Sequence, residues 1–542
     1  MSAVPAAARP FVFHRAILNG ASFVPQASPN GAIARGSIFS IFGRELGPTE
    51  GVAAAEFPLL NELADVSVDV CQGETCEPAI PLFVRADQIN AIMRSETPLG
   101  ASVVRVTFGG EEGNSSPVEV AEASVGLFSV NGGGFGPGIV QNFITQANQP
   151  LNSTDVVAEP GTVVTLWGTG LGAALGPDEL APQAGNVRTT VEIFVGPSRV
   201  SRILYAGRAP CCSGLDQIVF EVPSDAPTGC YVPVHLRTNG QVVSSSVTMA
   251  IGTESVECSD EFNPLRELSG GGRTGLALAS RVLTSRDLLP GISMDFATDM
   301  VAGVFQEESR GPWRFNRAYS LPPPGSCTTY AQAEGRVRPQ LLADLIRNGS
   351  LLDAGETLAI SGSVGQTEAR PLPLAGNLYG ALAGTNLETA RPLLELFFGA
   401  PDSLRVTGRG GDEVGAFEVS LESPAAILWT NESSTATITR GSQVEITWTG
   451  GEPGGLVLLL ALGANRLAQA ASGFACVERT DAGKITVGNW VTSTLTADEP
   501  GAADGLIILA SLPGSAAPFQ TDGLDAGVGL FVVAASRAVD IR

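Results

Sequence analysis

Lysine and histidine are almost missing from this 542-residue chain: Lys484 is its one lysine, and His14 and His235 are its two histidines. Two isolated histidines leave little room for a Ser-His-Asp triad or a histidine metal site. Each is expected to be structural, His235 in the strand-like "YVPVHLRTNG" and His14 in the lead-in "FVFHRAIL". G-x-S-x-G elbows, H-E-x-x-H pairs and Walker loops are also missing, which removes the usual signatures of hydrolases, zinc proteases and nucleotide binders. With lysine scarce and a net charge of −23, the chain repels phosphate backbones, so no nucleic-acid partner is expected. Long apolar runs are lacking too. "LVLLLAL" at Leu456–Leu462 falls far short of the roughly 20 residues that a membrane helix needs, and no membrane insertion is expected. The start, "MSAVPAAARPFVFHRAILNG", has no charged region followed by an apolar one, and an export signal is expected to have been removed from it.

What the chain does contain is glycine (65), proline (36) and enough hydrophobic residues (44%) to bury cores. Short β-branched runs punctuated by Gly and Pro read as turn-rich β-structure, and the length suggests about three to four domains. Self-comparison shows a repeat. "RGSIFSIFGRELGP" lies over "PGTVVTLWGTGLGA", so that Gly36, Gly43, Leu46 and Gly47 match Gly161, Gly168, Leu171 and Gly172. Further on, Asp87-Gln88-Ile89 matches Asp216-Gln217-Ile218, and Pro98 and Gly100 match Pro227 and Gly229. Each copy reads as a small sandwich of roughly seven strands, and the matching glycines suit turns with positive φ or close backbone approach. "GTGLG" at Gly168–Gly172 opens no helix and reads as a turn rather than a phosphate cradle.

The pattern "NGASF…G.IFSIFG.ELGP…ADQINA…PLG…V.V" resembles the tandem Ig-like (IPT/TIG-type) modules of exported, mostly uncharacterised acidobacterial proteins. "YAGRAPCCSGLDQIVFEVP…APTGCYVPV" is similar to a variant of that module with extra cysteines. The resemblance implies an extracellular β-sandwich and no reaction. On this reading residues 1–127 are the first copy and 128–254 the second. Residues 255–425 form a β-rich region with a short helix at "RPQLLADLIRNGS", whose stripe is Leu341, Leu342, Leu345 and Ile346. Residues 426–542 resemble a C-terminal β-domain of the same class of proteins. The fold class expected is all-β and multidomain.

Eight cysteines, an even number, point to disulfides in an oxidising, extracellular or cell-surface compartment. Cys71 and Cys76 flank a tight loop and are expected to pair as a hairpin-tip disulfide, with a C-x₄-C redox site as the alternative. In a strand, adjacent side chains face opposite ways, so Cys211 and Cys212 are expected to pair with Cys230 and Cys258, in an order left open. A vicinal bond and a four-cysteine zinc site are the alternatives. Cys327 and Cys476 remain as a pair by elimination. No cofactor or metal is expected. Asp87 and Asp216, at equivalent positions, are expected to share a role bonding turn amides. The acidic loops around Glu111, Glu112, Asp412 and Glu413 read as solvated rather than calcium-binding.

These readings lead to a non-catalytic extracellular scaffold or binding protein with a protein or polysaccharide surface partner, and they leave self-association open. One alternative is a carbohydrate-binding protein using Trp313, Trp429, Trp448 and Trp490 as stacking platforms. The other is a hydrolase with paired carboxylates in residues 255–425.

Overall fold

The computed structural model describes residues 9–253, 257–289, 292–332, 349–372, 377–387, 403–465, 467, 470–499, 502 and 504–542. The protein is all-β. Among the described residues its helical content is one four-residue helix, Asn489–Thr492, and three short 3₁₀ turns. The helix expected over residues 338–350 falls almost wholly on residues outside those described.

The first repeat alternates buried with half-buried or exposed positions along most of Val66–Gln72, Gly100–Phe108 and Ser116–Ala121, the period-2 pattern of strands with one face in a core. Its strands run in the order Phe11–Asn19, Ile38–Arg44, Gln88–Ile92, Thr75–Val84, Val66–Gln72, Gly100–Phe108, Ser116–Ala121. Thr75–Val84 serves both layers. Residues 75–79 pair with Val66–Gln72, and the stretch from Ile80 pairs with Gln88–Ile92. Phe39, Ile41, Val68, Val104 and Val106 fill the core between the layers.

In the second repeat the counterpart of Thr75–Val84 is split. Ser198–Arg199 pairs with Val191–Val195 in one sheet, and Ile203–Arg208 pairs with Asp216–Glu221 in the other. Two separate sheets result, packed over Val164, Leu166, Ile193, Val195, Val232 and Val234. The equivalent glycines Gly43 and Gly168 have one purpose in both copies. A Cβ on Gly43 would lie 2.2 Å from the Phe11 carbonyl oxygen, and one on Gly168 2.7 Å from that of Gly126, so the neighbouring strand can approach only a glycine.

The remainder of the chain holds one large sheet and, from Ile427–Trp429, Val444–Gly450 and Lys484–Val487, a separate three-stranded one. A single 15-stranded sheet runs from Ser326–Gln332 through Ala470–Arg479, Leu456–Asn465, Gly505–Leu512 and Ala526–Ile541 to Gly272–Leu289 and Ile292–Glu308, ending at Phe417–Glu422. Strands from both sides of the boundary expected near residue 425 contribute to it. Its central join is parallel, Gly272–Leu289 against Ala526–Ile541, with Thr274↔Ala526 through Ser285↔Arg537 in register. Parallel strands tend to be buried and apolar. The run "LVLLLAL" is likewise explained by position, because Leu456–Asn465 is flanked by partners on both edges. We refer to this part as the C-terminal body.

Candidate functional site at the faces of the second repeat

The second repeat contacts both neighbours, and the residues singled out by sequence gather on those two faces. The face toward the first repeat begins with Arg208 and Asp216, which close a loop, Pro210–Leu215, that has no counterpart between Ala86 and Asp87. Arg208 Nη1 donates to Asp216 Oδ1 at 2.6 Å and Nη2 to the Gly172 carbonyl at 2.7 Å. The Leu171 N–H donates to Asp216 Oδ2 at 2.8 Å. Burial pushes the Asp216 carboxyl up to about 6, against the pull of Arg208 and of the Leu171 N–H. The role expected of Asp216 is thus seen, but Asp87 does not share it. Asp87 is solvent-exposed, its carboxyl is held low by the hydrogen bond from Arg85, and the Leu46 N–H goes to the Ala86 carbonyl instead.

The inserted loop carries a further departure from expectation. Cys211 is bonded to Cys212, and Cys230 to Cys258. Opposite-facing side chains require extended backbone, whereas Cys211 and Cys212 sit in consecutive turns, with the Cys212 N–H on the Ala209 carbonyl and the Leu215 N–H on the Cys212 carbonyl. Cys71 is bonded to Cys76, and Cys327 to Cys476. The loop then docks on the first repeat. Gly214 lies against Ile38 and Ile92, its carbonyl accepts from Thr169 Oγ1 at 2.6 Å, and that hydroxyl oxygen accepts from the Ile38 N–H at 2.8 Å.

Beside it, an arm of the second repeat grips the first. The Ser95 N–H and hydroxyl donate to the buried Asp178 carboxylate at 2.7 and 2.9 Å, and the Ala174 N–H donates to Ser95 Oγ at 2.8 Å. Arg94 pairs with Glu179 at 2.9 Å. A cavity of about 70 Å³ remains here, lined by Leu175, Asp178, Leu180, Arg208 and Ser213 among others. That volume suits a few waters, well below the roughly 300 Å³ at which ligand pockets begin.

The opposite face of the second repeat meets the C-terminal body through His235 and the tryptophans. His235 is fully buried, and its Nε2–H donates to the Cys327 carbonyl at 3.1 Å, leaving Nδ1 buried without a partner. Burial drives its pKa down to about 4, so the ring is neutral. Trp490 stacks on Phe194 at 5.2 Å and leans on His235 at 4.4 Å. Trp313 Nε1–H donates to the Asn152 carbonyl at 2.8 Å. Trp429 and Trp448 are buried in the core of the C-terminal body. None of the four forms an exposed stacking platform, which removes the feature on which the carbohydrate alternative was built.

The acidic positions are also engaged. Glu111 pairs with Arg9 and Glu112 with Arg105, while the Asp412 N–H and the Glu413 carboxylate both bond to Asp353. Asp260, whose carboxyl burial pushes up to about 6, accepts from the Cys230 N–H at 2.8 Å and so positions the Cys230–Cys258 bond. Asp299 is fully buried and gripped by Arg281 through two bonds of 2.7 and 2.9 Å. Among the described residues, no cluster of three His, Cys, Asp or Glu could hold a metal ion, and no helix is long and apolar enough to cross a membrane. An open groove of about 660 Å³ on the C-terminal body, between Pro264–Glu267 and Ser515–Val528, has neither histidine nor cysteine in its lining.

The partners Arg208, Ser95, Asp178 and Asp260 were not singled out from sequence. Only Arg208 left a signal: each repeat has Arg-Ala before its Asp, and only the second has six residues inserted between Ala and Asp.

No protein-family model matches the chain, and no curated sequence does. Among solved structures, the extracellular region of plexin A4 is similar at 14% identity over 47% of this chain and 19% of that one, with a TM-score of 0.15. Domains 5–6 of the S-layer protein SbsC give 13% identity over 45% and 100%, with a TM-score of 0.17. SGBP-B from a xyloglucan utilization locus of Bacteroides uniformis gives 10% over 84% and 73%, with a TM-score of 0.15. The chain thus spans about a fifth of the plexin region it matches. Superposition this poor carries no weight for what the chain does.

Proposed function

We propose that this chain is an exported, non-catalytic surface scaffold or binding protein that offers outward strand edges and loops to a protein or polysaccharide partner. One observation carries the reading: the groups best able to do chemistry are consumed in holding modules together or in closing their loops. His235 is neutral and bonded to a backbone carbonyl, Asp216 is bonded to Arg208, and Trp313 and Trp490 are packed between modules. A general acid or base must instead reach a substrate proton. The likeness of both repeats to IPT/TIG-type modules of exported acidobacterial proteins supports an extracellular setting. The four disulfides support it too, since such bonds persist in oxidising compartments.

On this reading residues 1–127 and 128–254 are spacers set at a fixed angle by the Ser95–Asp178 and Gly214 contacts. Residues 255–425 and 426–542 act as one unit because they share a sheet. The test is a glycan array and a surface-protein binding screen on the purified chain, run beside a panel of glycoside, ester and peptide substrates. Saturable binding with background turnover is expected. Reproducible turnover abolished by one Asp or Glu substitution would overturn the reading. Small-angle scattering of residues 1–260, which keep the Cys230–Cys258 bond, is expected to report an elongated particle, and an envelope folded around a shared cavity would favour a ligand pocket.

A further inference from the structure

We propose that the Cys211–Cys212 disulfide is a thiol-exchange site, and that opening it releases the catch between the two repeats. Three observations converge on it. First, access: Cys211 and Cys212 are both exposed, while each other bond has at least one cysteine that is buried or half-buried (Cys71; Cys230 and Cys258; Cys327 and Cys476). Exchange proceeds by a thiolate reaching a disulfide sulfur, so access selects among bonds.

Second, the bond does no long-range stapling. The others close separations of 5, 28 and 149 residues, whereas this one joins neighbours. Cross-link stabilisation grows with the loop closed, so a bond between adjacent residues constrains only its own turn.

Third, that turn is the one that docks on the first repeat. Gly214, two residues on, has φ +78 and sits so close that a Cβ would lie 2.6 Å from Ile38 Cγ1. The Ser213 hydroxyl donates to the Leu180 carbonyl of the gripping arm at 3.3 Å. Locking the peptide between Cys211 and Cys212 thereby holds Gly214 in place.

The reactant class is a dithiol. Its thiolate attacks one sulfur of the pair, forming a mixed disulfide and freeing the other cysteine as a thiolate that takes a proton from solvent. Its second thiol then displaces the mixed bond. The reductant leaves as a cyclic disulfide, and the protein gains two electrons and two protons as two thiols. The turn regains backbone freedom, Gly214 withdraws, and the Ile38 N–H loses the Thr169 hydroxyl held by the Gly214 carbonyl. None of this depends on what the protein's surface binds.

The experiment uses the full chain and dithiothreitol. Timed reduction, alkylation and peptide mapping are expected to show Cys211 and Cys212 modified about tenfold faster than the other six cysteines. Amide exchange at Ile38 and across 169–172 is expected to rise in step, with the C-terminal body unchanged. A Cys211→Ser, Cys212→Ser double variant should show the raised exchange without reductant and no response to it. Reduction of Cys71–Cys76 as fast as or faster than Cys211–Cys212 would refute the site. Rapid opening of Cys211–Cys212 with Ile38 exchange unmoved would refute the catch.

Discussion

In the first repeat Arg85 and Asp87 meet across the water-facing surface; in the second, Arg208 and Asp216 form the same pair with side chains 4% and 0% exposed. Apart from the split of the strand equivalent to Thr75–Val84, corresponding strands pair in the same order, and the Arg-Ala that leads in is shared. What differs is the insertion Pro210–Leu215, which separates the arginine from the aspartate and lets the pair close beneath a loop. The same chemistry shifts in opposite directions, with the Asp87 carboxyl lowered by its arginine and the Asp216 carboxyl raised by burial despite its arginine. Water sets the balance. An ion pair left at the surface stays solvated, whereas one closed beneath a loop must satisfy its charges internally.

The largest expected contrast comes from breaking that pair in each copy. Arg208→Ala strands a buried carboxylate and is expected to cost about 3–5 kcal/mol of stability. Arg85→Ala is expected to leave urea denaturation unchanged. Equal effects would mean the two copies do not differ in the way described.

Disulfides sharpen the contrast next. Chain entropy assigns about 3–4 kcal/mol to the Cys230–Cys258 loop and about 2 kcal/mol to Cys71–Cys76, whose separations are 28 and 5 residues. Paired Cys→Ala variants of each bond, compared by denaturation midpoint, should rank in that order.

Acid should act on the second repeat through His235. Its folded pKa of about 4 lies below the value of about 6.5 for a free imidazole. The stability it contributes is therefore full above about pH 6.5 and falls as pH drops toward 4. Between pH 7 and pH 5 the loss is about 2 kcal/mol. Asp216 and Asp260, with raised pKa values, work the other way: their cost appears as pH rises through about 6. Comparing wild type with His235→Gln across this range isolates the histidine, and the same change at the exposed His14 is the control. A pH profile unchanged by His235→Gln would refute the buried-neutral assignment.

The smallest effect concerns the grip between repeats. Ser95→Ala removes the hydroxyl shared by Asp178 and Ala174 and is expected to cost about 1 kcal/mol. Hydrogen exchange at the Ala174 amide should rise accordingly.

How much of this was legible depended on the range of the interaction. Alternating runs such as "VSVDV" and the matching glycines are local signals, and they gave the β-class and the tandem repeat. The pairing of Gly272–Leu289 with Ala526–Ile541 joins strands some 250 positions apart, and no local pattern specifies such a partner. The cysteines followed the same division. Loop-flanking Cys71 and Cys76 were readable, but the reading of Cys211 and Cys212 assumed an extended backbone where turns occur. The tryptophans were visible as residues and invisible as contacts. Whether an indole faces sugar or a neighbouring module is decided by docking that composition does not encode.

The parallel join in the C-terminal body has a mechanical meaning. Tension entering at Gly272 and leaving at Ile541 pulls the two strands along their length in opposite directions. All twelve register pairs from Thr274↔Ala526 to Ser285↔Arg537 are then loaded together rather than unzipped one by one. Among the described residues, the first repeat has only Val120↔Ile33 and Ala121↔Ala34 in that geometry, and the second has isolated bridges such as Ala158↔Ile251. Under a pulling force the repeats are therefore expected to rupture first and the C-terminal body last, a sequence that single-molecule stretching of the full chain reads directly from its ladder of force peaks.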